Sequence, residues 1–363
     1  MKITSVYTKF VSSQILKGVI HGQGQNKTYC FIIVETTSGR FLSELYCGTY
    51  NRHIVEACIQ TINEKLRKAS YFETLECIRT ELHIPFISGN GIYEACTSAV
   101  LNAVESQLTS TNLPYNWCGE YYYSGGTVKT SISQLYEEIE YAVKSGYNVY
   151  KIRLDYRDPE DCINKISILN AHAISYSVDF IVNTNISNNY HSAIQNILEY
   201  MYPEKVCWIE EPTIPSRVVQ DSDYLRQIRD RGFKLALGES FTSILEFQAI
   251  DKLDLIDVIQ LDATISSTVP DFVEFGLTCN ARLGFHNWGS VFGMLQNMAV
   301  AQKIGKFNFF EIPYYQTAFD NELIGLLATS VIHELDINKI NLDRVVAVIE
   351  KYSVQTNDNF SWT

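Results

Sequence analysis

The sequence has a shortage of positive charge. Its 363 residues include 29 Lys and Arg against 41 Asp and Glu, which gives a formal net charge of -12. A nucleic-acid-binding surface needs clustered cations to neutralise phosphates, so this balance argues against such a function. We therefore expect small molecules as partners.

Long apolar runs are also lacking. A membrane-spanning helix needs about 18 or more apolar residues in succession, and no stretch of the chain approaches that length. The first segment, MKITSVYTKF, lacks the apolar core of a signal peptide. We therefore expect a cytoplasmic protein that has no contact with a membrane.

Metal-binding cysteine motifs and flexible linkers are absent from the sequence as well. The nine cysteines are odd in number and scattered, with no CxxC pair and no histidine cluster at zinc spacing. Buried, reduced thiols are therefore expected. Because no proline-rich or low-complexity segment interrupts the second part of the chain, that part is expected to fold as one unit.

Two patterns of hydrophobic residues divide the chain. Residues 1–117 combine alternating segments, with a turn predicted at Ser38-Gly39, and helical spacing over 53–68 and 91–108. This pattern predicts an α+β capping domain, and we expect residues 330–363 to complete it. Within this last part, NKINLDRVVAVIEKYSV predicts a helix.

From residue 118 to 329, short apolar runs alternate with helical segments. The runs are GEYYYSG, NVYKIRL, DFIVNTN, VCWIEEP, KLALGES, DVIQLD, RLGFHN and FNFFEIP. The ends of consecutive runs are 23 to 30 residues apart, from Arg153 to Glu311, which accommodates one strand, one helix and two loops. The fold class predicted is α/β: a TIM-type (β/α) barrel with an α+β N-terminal capping domain.

Polar residues close most of these runs. In a barrel of parallel strands, the carboxyl ends of all strands meet at one mouth and form a single site. A carboxylate such as Glu210, which follows Val206 to Ile209, is costly to bury unless it is paired or binds a metal. With Glu239 on the next strand, it suggests a site for Mg²⁺, which prefers oxygen ligands.

Several short motifs, in order along the chain, resemble the enolase superfamily and its mandelate racemase-like subgroup. They are GIYEACTSAVLNAVESQ at 91–107, KIR at 151–153, WIEEP at 208–212, GES at 238–240, LD at 261–262 and HNWG at 286–289. The resemblance covers nearly the whole chain. It implies Mg²⁺ as cofactor, a small-molecule carboxylate as substrate, and a homo-oligomeric assembly.

The resemblance also implies a set of metal ligands. Glu210 and Glu239 match two of them, and Asn183 stands at the place of the third, which is normally an aspartate. A neutral amide oxygen still coordinates Mg²⁺, but it lowers the negative charge of the ligand set. We therefore expect weakened metal binding if Asn183 is the third ligand. The alternative is that Asn183 only satisfies backbone groups at the strand end.

The catalytic residues implied by the resemblance are His286 as base, Asp262 as the residue that orients it, and Lys151 with Arg153 on the second strand. Arginine is a poor base because it stays protonated. We therefore expect an acid-sugar dehydratase in which His286 removes the α-proton of a hydroxy-carboxylate. If Lys151 acts as a second base, the alternative is a racemase or epimerase. A diverged barrel that binds a ligand without turnover is the other alternative.

The remaining candidates surround the substrate. Glu311 matches an acid that binds the substrate carboxylate in its protonated form, and the phenylalanines beside it in sequence are expected to raise its pKa. Asn185, Trp288 and His21 are candidate substrate contacts. For Trp288 the alternative is plain packing, and for His21 a solvated position in a loop of the capping domain.

Overall fold

The computed structural model describes most of the chain. The described residues are 1–17, 26–46, 52–69, 71–85, 87–88, 91–108, 119–182, 187, 189–305, 307–326 and 341–354. Three predicted site residues, His21, Asn183 and Asn185, lie outside these ranges. The predictions for these three residues therefore stay predictions.

The N-terminal part forms an antiparallel sheet covered by helices. Its strands are Ile3–Lys17 (β1), Asn26–Thr36 (β2) and Gly39–Glu44 (β3), and its helices are Arg52–Lys68 (α1), Leu75–Leu82 (α2) and Gly91–Leu108 (α3). The turn expected at Ser38-Gly39 joins β2 to β3, with Thr36 opposite Gly39. One face of the sheet packs on the helices through Ile32, Val34, Ile59 and Val100, among others. This arrangement confirms the predicted α+β capping domain.

Eight parallel strands close into a barrel. They are Glu120–Ser124 (β4), Val149–Arg153 (β5), Ser175–Asp179 (β6), Val206–Glu210 (β7), Leu235–Leu237 (β8), Val258–Leu261 (β9), Arg282–Phe285 (β10) and Phe309–Pro313 (β11). Each strand pairs with its neighbours in sequence, and β11 closes the barrel on β4. The predicted fold class is confirmed.

The third barrel strand differs from the prediction. The expected run, DFIVNTN, begins at Asp179, whereas β6 ends there. The segment SYSVD has serines at alternate positions, and Ser177 is buried although it is polar. Tyr176 and Val178 supply the apolar face that packs under the surrounding helices. The apolar run after Asp179 leaves the strand, and Ile181 has a positive φ of 47°.

Helices alternate with the barrel strands and cover them. They are Ile132–Lys144 (α4), Pro159–Ala171 (α5), Tyr190–Leu198 (α6), Ser222–Asp230 (α7), Ile244–Asp251 (α8), Val269–Thr278 (α9) and Val291–Ile304 (α10). Ser131, Ser243 and Thr268 begin α4, α8 and α9 with capping boxes, which satisfy the first free backbone N–H groups. The starts of these helices are thus encoded locally.

The chain returns to the capping sheet after the barrel. The short strand Gln316–Thr317 (β12) pairs with β1, and the helix Ala318–Leu326 (α11) follows it. The predicted C-terminal helix is present as Leu342–Tyr352 (α12), which buries Val345 and Ile349 against the sheet residues Val11 and Ile33. The capping sheet therefore has helices on both faces, and one face contacts elements that follow the barrel.

Among the helices in the described ranges, none has both the length and the apolar character needed to cross a membrane. The described cysteines are thiols, and Cys30, Cys96, Cys162 and Cys279 are buried. Cys77 is exposed, so the expectation of burial is wrong for that residue. It lies at the first turn of α2, where Thr74 caps the helix.

Candidate active site

Three carboxylates meet at the carboxyl ends of neighbouring barrel strands. Asp179 ends β6, Glu210 ends β7, and Glu239 follows β8 by two residues. One carboxylate oxygen from each lies within 4.8 Å of the other two. Glu210 and Glu239 were predicted from the sequence, and Asp179 was missed. The sequence does indicate Asp179, because it is a carboxylate at the end of the alternating segment SYSVD. It was missed because the third strand was predicted to begin at Asp179 and not to end there.

The conformation that brings Glu210 and Glu239 together depends on the residue after each strand. Glu211, at a positive φ of 38°, accepts hydrogen bonds from the Ser240 backbone at 3.1 Å and the Ser240 hydroxyl at 2.6 Å. Gly238 has a φ of 134°, and a Cβ there would lie 2.3 Å from the carbonyl oxygen of Gln260. Only glycine fits this position. The hydrogen bonds between Glu211 and Ser240 thus join the EEP motif to the GES motif.

Glu210 is fixed by donors inside the barrel. Its Oε2 accepts hydrogen bonds from Trp208 Nε1 at 3.0 Å and from Gln260 Nε2 at 2.8 Å. Burial and the nearby carboxylates of Glu239 and Glu311 raise the pKa of Glu210 to about 7, against the opposing effect of a neighbouring lysine. The other oxygen, Oε1, pairs with the Nζ atom of Lys151.

Lys151 pairs with two carboxylates of this cluster and with Glu311. Its fully buried Nζ pairs with Glu210 Oε1, with Glu311 Oε1 at 3.2 Å and with Glu239 Oε2 at 3.4 Å. Burial alone would lower the pKa of Lys151, but the three carboxylates outweigh it and raise the pKa above its usual value. This arrangement favours the ammonium form of Lys151.

Arg153 spans two of the acidic groups. Its guanidinium lies 3.4 Å from Glu311 Oε1 and 3.7 Å from Asp179 Oδ2, and it donates to Ser124 Oγ at 3.2 Å. Its Cζ also lies 3.9 Å from the centroid of the Trp288 ring. Arg153 therefore links the carboxylate cluster to the aromatic wall of the site.

His286 and Asp262 form the predicted pair. Asp262 Oδ2 lies 2.7 Å from His286 Nδ1, and its Oδ1 accepts from Thr264 N at 2.8 Å and Asn297 Nδ2 at 3.0 Å. His286 Nε2 lies 3.5 Å from Glu239 Oε2. A proton on Nδ1 shared with Asp262 leaves Nε2 directed at the carboxylate cluster.

The charges around His286 favour its protonated form. Burial would lower the pKa of His286, but Glu239, Asp262 and Glu311 outweigh it and raise the pKa to about 9. Glu239 contributes most to this rise and is a candidate metal ligand, so a cation bound there would oppose the rise and favour the neutral imidazole that a base requires.

Glu311 is buried, and the rise expected for its pKa is wrong. Although burial raises its pKa, the cations Lys151, His286 and Arg153 outweigh that effect and lower the pKa to about 2. Its Oε2 also accepts a hydrogen bond from the Asn287 backbone at 3.0 Å. The phenylalanines are its neighbours along the chain, whereas the cations are its neighbours in space. Glu311 is therefore a carboxylate here.

Trp288 walls the site and packs against Tyr315, with ring centroids 4.9 Å apart. Tyr46 of the capping domain approaches the His286 ring, with centroids 5.9 Å apart. The ammonium group of a second residue of that domain, Lys27, faces the rings of Tyr46, Trp288 and Tyr315. Sequence reasoning missed Lys27, because a lysine on an alternating strand is ordinarily a solvated residue.

The described fold and site define a β/α-barrel protein with a carboxylate cluster and a histidine–aspartate pair at its mouth. A family model described as "Enolase C-terminal domain-like" matches residues 134–332. The chain belongs to this family, whose members are enzymes. This result confirms the resemblance to the enolase superfamily.

One curated relative is a 3,6-anhydro-alpha-L-galactonate cycloisomerase from Streptomyces coelicolor A3(2). It is 25% identical over 126 residues, and the match spans 34% of this chain and 34% of that protein. The chain thus matches about a third of the length of this relative.

Solved structures share the fold. A member of the enolase superfamily from Polaromonas sp. JS666 is 17% identical, with a TM-score of 0.72 and 98% of each chain covered. A racemase from Streptomyces coelicolor A3(2), whose structure contains bound magnesium, is 18% identical with a TM-score of 0.67, covering 85% of this chain and 89% of that one.

Proposed function

We propose that this protein is a Mg²⁺-dependent enzyme that removes the α-proton of a hydroxy-carboxylate, and that it acts as an acid-sugar dehydratase. The observation that carries the proposal is the position of His286 Nε2, 3.5 Å from Glu239 Oε2 at the edge of the carboxylate cluster. A base and a candidate metal site are thus adjacent.

The donor atoms of the cluster suit Mg²⁺. Asp179, Glu210 and Glu239 each offer an oxygen, and these oxygens lie within 4.8 Å of one another. Hard oxygen ligands are those that Mg²⁺ prefers. When bound, the cation acts as a Lewis acid that stabilises negative charge on the substrate carboxylate. A ligand set containing Asp179 carries three negative charges, so metal binding does not depend on Asn183 alone.

Four protein side chains have distinct roles in the proposed proton transfer. His286 accepts the α-proton at Nε2 while Asp262 holds its Nδ1. Lys151 and Arg153 place two positive charges beside the carboxylates. Arg153 stays protonated and Lys151 is paired with three carboxylates, so the role of base is assigned to His286, whose Nε2 lies at the edge of the cluster. The imidazolium formed at His286 then returns the proton to the departing β-hydroxyl, which leaves as water, so the overall reaction is a dehydration.

A second candidate is an isomerisation of an anhydro acid sugar. The curated relative from Streptomyces coelicolor is a cycloisomerase of such a compound. When the leaving oxygen belongs to the same ring, the elimination opens the ring without releasing water. Racemisation or epimerisation would in addition require a proton donor or acceptor on the face opposite His286, and Lys151 is the candidate for that role.

Exchange of the α-proton with solvent deuterium tests the proposal. The protein is incubated in D₂O with a panel of aldonic and aldaric acids and with either Mg²⁺ or EDTA, and the α-proton signal is followed by ¹H NMR. We expect exchange in the samples with Mg²⁺ and none in the samples with EDTA. A 2-keto-3-deoxy acid should form in the samples that exchange. Replacement of a general base costs roughly 10²- to 10⁴-fold, so His286→Gln should lose exchange to that extent.

The control is His172→Gln, at the end of α5 and away from the site, which should exchange at the wild-type rate. No exchange across the panel with Mg²⁺ shown to be bound would favour a barrel that binds a ligand without turnover. An epimer without a keto acid would favour the epimerase, and ring opening of an anhydro acid would favour the cycloisomerase.

A further inference from the structure

Lys27 of the capping domain is buried, and no described residue is its hydrogen-bonding partner. It lies on β2 opposite Ser13 of β1, and its exposed fraction is 0%. No hydrogen bond from its Nζ is found among the described residues. An ammonium group has three donors, and leaving them unmade in the interior is costly. The position therefore calls for an explanation other than packing.

Three aromatic rings surround this ammonium, and we call them the aromatic cage. The distances from Lys27 Nζ to the ring centroids are 4.9 Å for Tyr315, 5.2 Å for Tyr46 and 5.6 Å for Trp288. Cation–π contacts at such distances stabilise a positive charge in part. A ring face is not a conventional hydrogen-bond acceptor, so within the part of the chain that the structure describes the N–H groups of Lys27 remain without hydrogen-bond partners.

Two carboxylates, Glu44 and Asp320, raise the pKa of Lys27, but both accept hydrogen bonds from other groups. Glu44 accepts from the backbone of Ser290 at 2.9 Å and of Gly293 at 2.8 Å, at the start of α10. Asp320 accepts from the Val291 backbone at 2.9 Å, and also from the hydroxyls of Tyr29 and Thr317.

The cage shares its walls with the candidate active site. The Tyr46 ring contacts His286, and the Trp288 ring contacts Arg153. Lys27 is thus separated from the proton-abstracting residue and from the cation of the second barrel strand by one aromatic ring each. The rings of Tyr46 and Trp288 therefore form a boundary that the cage shares with the candidate active site.

We propose that Lys27 is a specificity-determining residue that binds a second carboxylate, at the end of the substrate remote from His286. This inference rests on the proposed function and narrows its substrate class to dicarboxylic acid sugars. A carboxylate offers both the acceptors and the negative charge that the buried ammonium lacks, whereas a hydroxyl offers acceptors alone. Charge-assisted hydrogen bonds of this kind are the strong ones.

Binding calorimetry tests this inference without requiring turnover. Galactarate, glucarate and mannarate are titrated into the Mg²⁺-loaded protein, each beside its monocarboxylic counterpart galactonate, gluconate or mannonate. For at least one pair we expect the diacid to bind at least about tenfold more tightly, and Lys27→Met should reduce that ratio to about twofold or less. Lys27→Gln, which keeps a polar group without the charge, should do the same.

Lys165→Met is the matched control, since Lys165 is also buried but lies on α5 and donates to Val128 O and pairs with Asp161. It should retain the diacid preference. Equal binding of diacids and monoacids by the wild type, or a preference that survives in Lys27→Met, overturns the inference. Tighter binding of 6-phosphogluconate than of any diacid would overturn the assignment to a carboxylate.

The α-proton exchange of the same samples separates the two proposals. A Lys27-dependent diacid preference without exchange contradicts the dehydratase function and leaves the diacid site in place. Exchange without a diacid preference contradicts the role of Lys27 alone.

Discussion

His286 Nδ1 lies 2.7 Å from Asp262 Oδ2. The second oxygen of Asp262 is held by donors alone, from the backbone and hydroxyl of Thr264 and from the amide of Asn297. The carboxylate is thus fixed in one orientation, with Oδ2 as the atom that faces the imidazole. This relationship determines which nitrogen of His286 is available to a substrate.

The first prediction concerns Asp262→Asn. The three donors at Oδ1 require an acceptor, so the amide oxygen of the new side chain takes that place and its NH₂ faces His286 Nδ1. The imidazole proton then moves to Nε2, which ceases to be a base. We expect α-proton exchange to fall by about 10²- to 10⁴-fold.

Mg²⁺ affinity, measured by calorimetry, should change little in this variant, because Asp262 is not in the carboxylate cluster. Exchange within about tenfold of the wild type would show that Asp262 does not set the tautomer of His286.

The second prediction concerns the metal ligands. Asp179→Asn, Glu210→Gln and Glu239→Gln each remove one charge from the cluster. Loss of a residue that only supports a ligand costs about 10- to 100-fold in metal affinity, so we expect each of these variants to bind Mg²⁺ at least that much more weakly. Glu138→Gln is the control, since Glu138 is buried beside Gly126 and Tyr150 and outside the cluster.

Asn183→Ala decides between the two candidates for the third ligand. If Asp179 completes the set, Asn183→Ala binds Mg²⁺ like the wild type and Asp179→Asn does not. The reverse result would favour Asn183, as the resemblance to the superfamily implied from the sequence.

The contrast between Asp179 and Asn183 shows where sequence reasoning was sufficient and where it was not. Seven of the eight predicted runs contain the observed strands, because their apolar residues are continuous and each run is bounded by turn residues. The third strand, with Ser175 and Ser177, lacks that continuity. The apolar residues after Asp179 led to a strand being predicted there. The prediction therefore has Asp179 at the start of the third strand, whereas the observed strand ends at this residue.

Long-range neighbours account for the other differences. Glu311 was judged by the phenylalanines next to it in sequence, whereas Lys151 and Arg153, more than 150 residues earlier, determine its charge state. The cage around Lys27 is likewise assembled from Tyr46, Trp288 and Tyr315. No local pattern records such contacts.

The third prediction concerns Gly238→Ala. The backbone φ of 134° disfavours any side chain, and the new Cβ would lie 2.3 Å from the Gln260 carbonyl oxygen. We expect a loss of about 2 to 4 kcal/mol in the free energy of unfolding. Weaker Mg²⁺ binding should accompany it, since Glu239 is the next residue.

Gly305→Ala provides the comparison, because Gly305 has a φ of 66° but nothing lies within 4 Å of a Cβ placed there. Its cost should be about 1 kcal/mol, with Mg²⁺ affinity unchanged. Equal losses in the two variants, measured by urea denaturation, would mean that the close contact with Gln260 does not matter.

The fourth prediction concerns Lys27→Met and the pH dependence of stability. Burial lowers the pKa of Lys27 from 10.5 to about 7, against the opposing effects of Glu44 and Asp320. Between these two values the unfolded chain holds a proton that the folded protein has released, so wild-type stability rises with pH across this window. Above pH 10.5 the burial cost has disappeared, and it returns in full as the pH falls through 7.

A methionine side chain at this position has no such proton, and the difference between the two proteins isolates this one group. Lys27→Met should be more stable than the wild type at pH 7, and its advantage should shrink by about 3 kcal/mol between pH 7 and pH 9.5. The measurement is the free energy of unfolding in urea at both pH values. An advantage that stays constant with pH would show that the Lys27 pKa is not lowered. A stabilised variant that has also lost the diacid preference would show that the buried ammonium is retained for binding at the expense of stability.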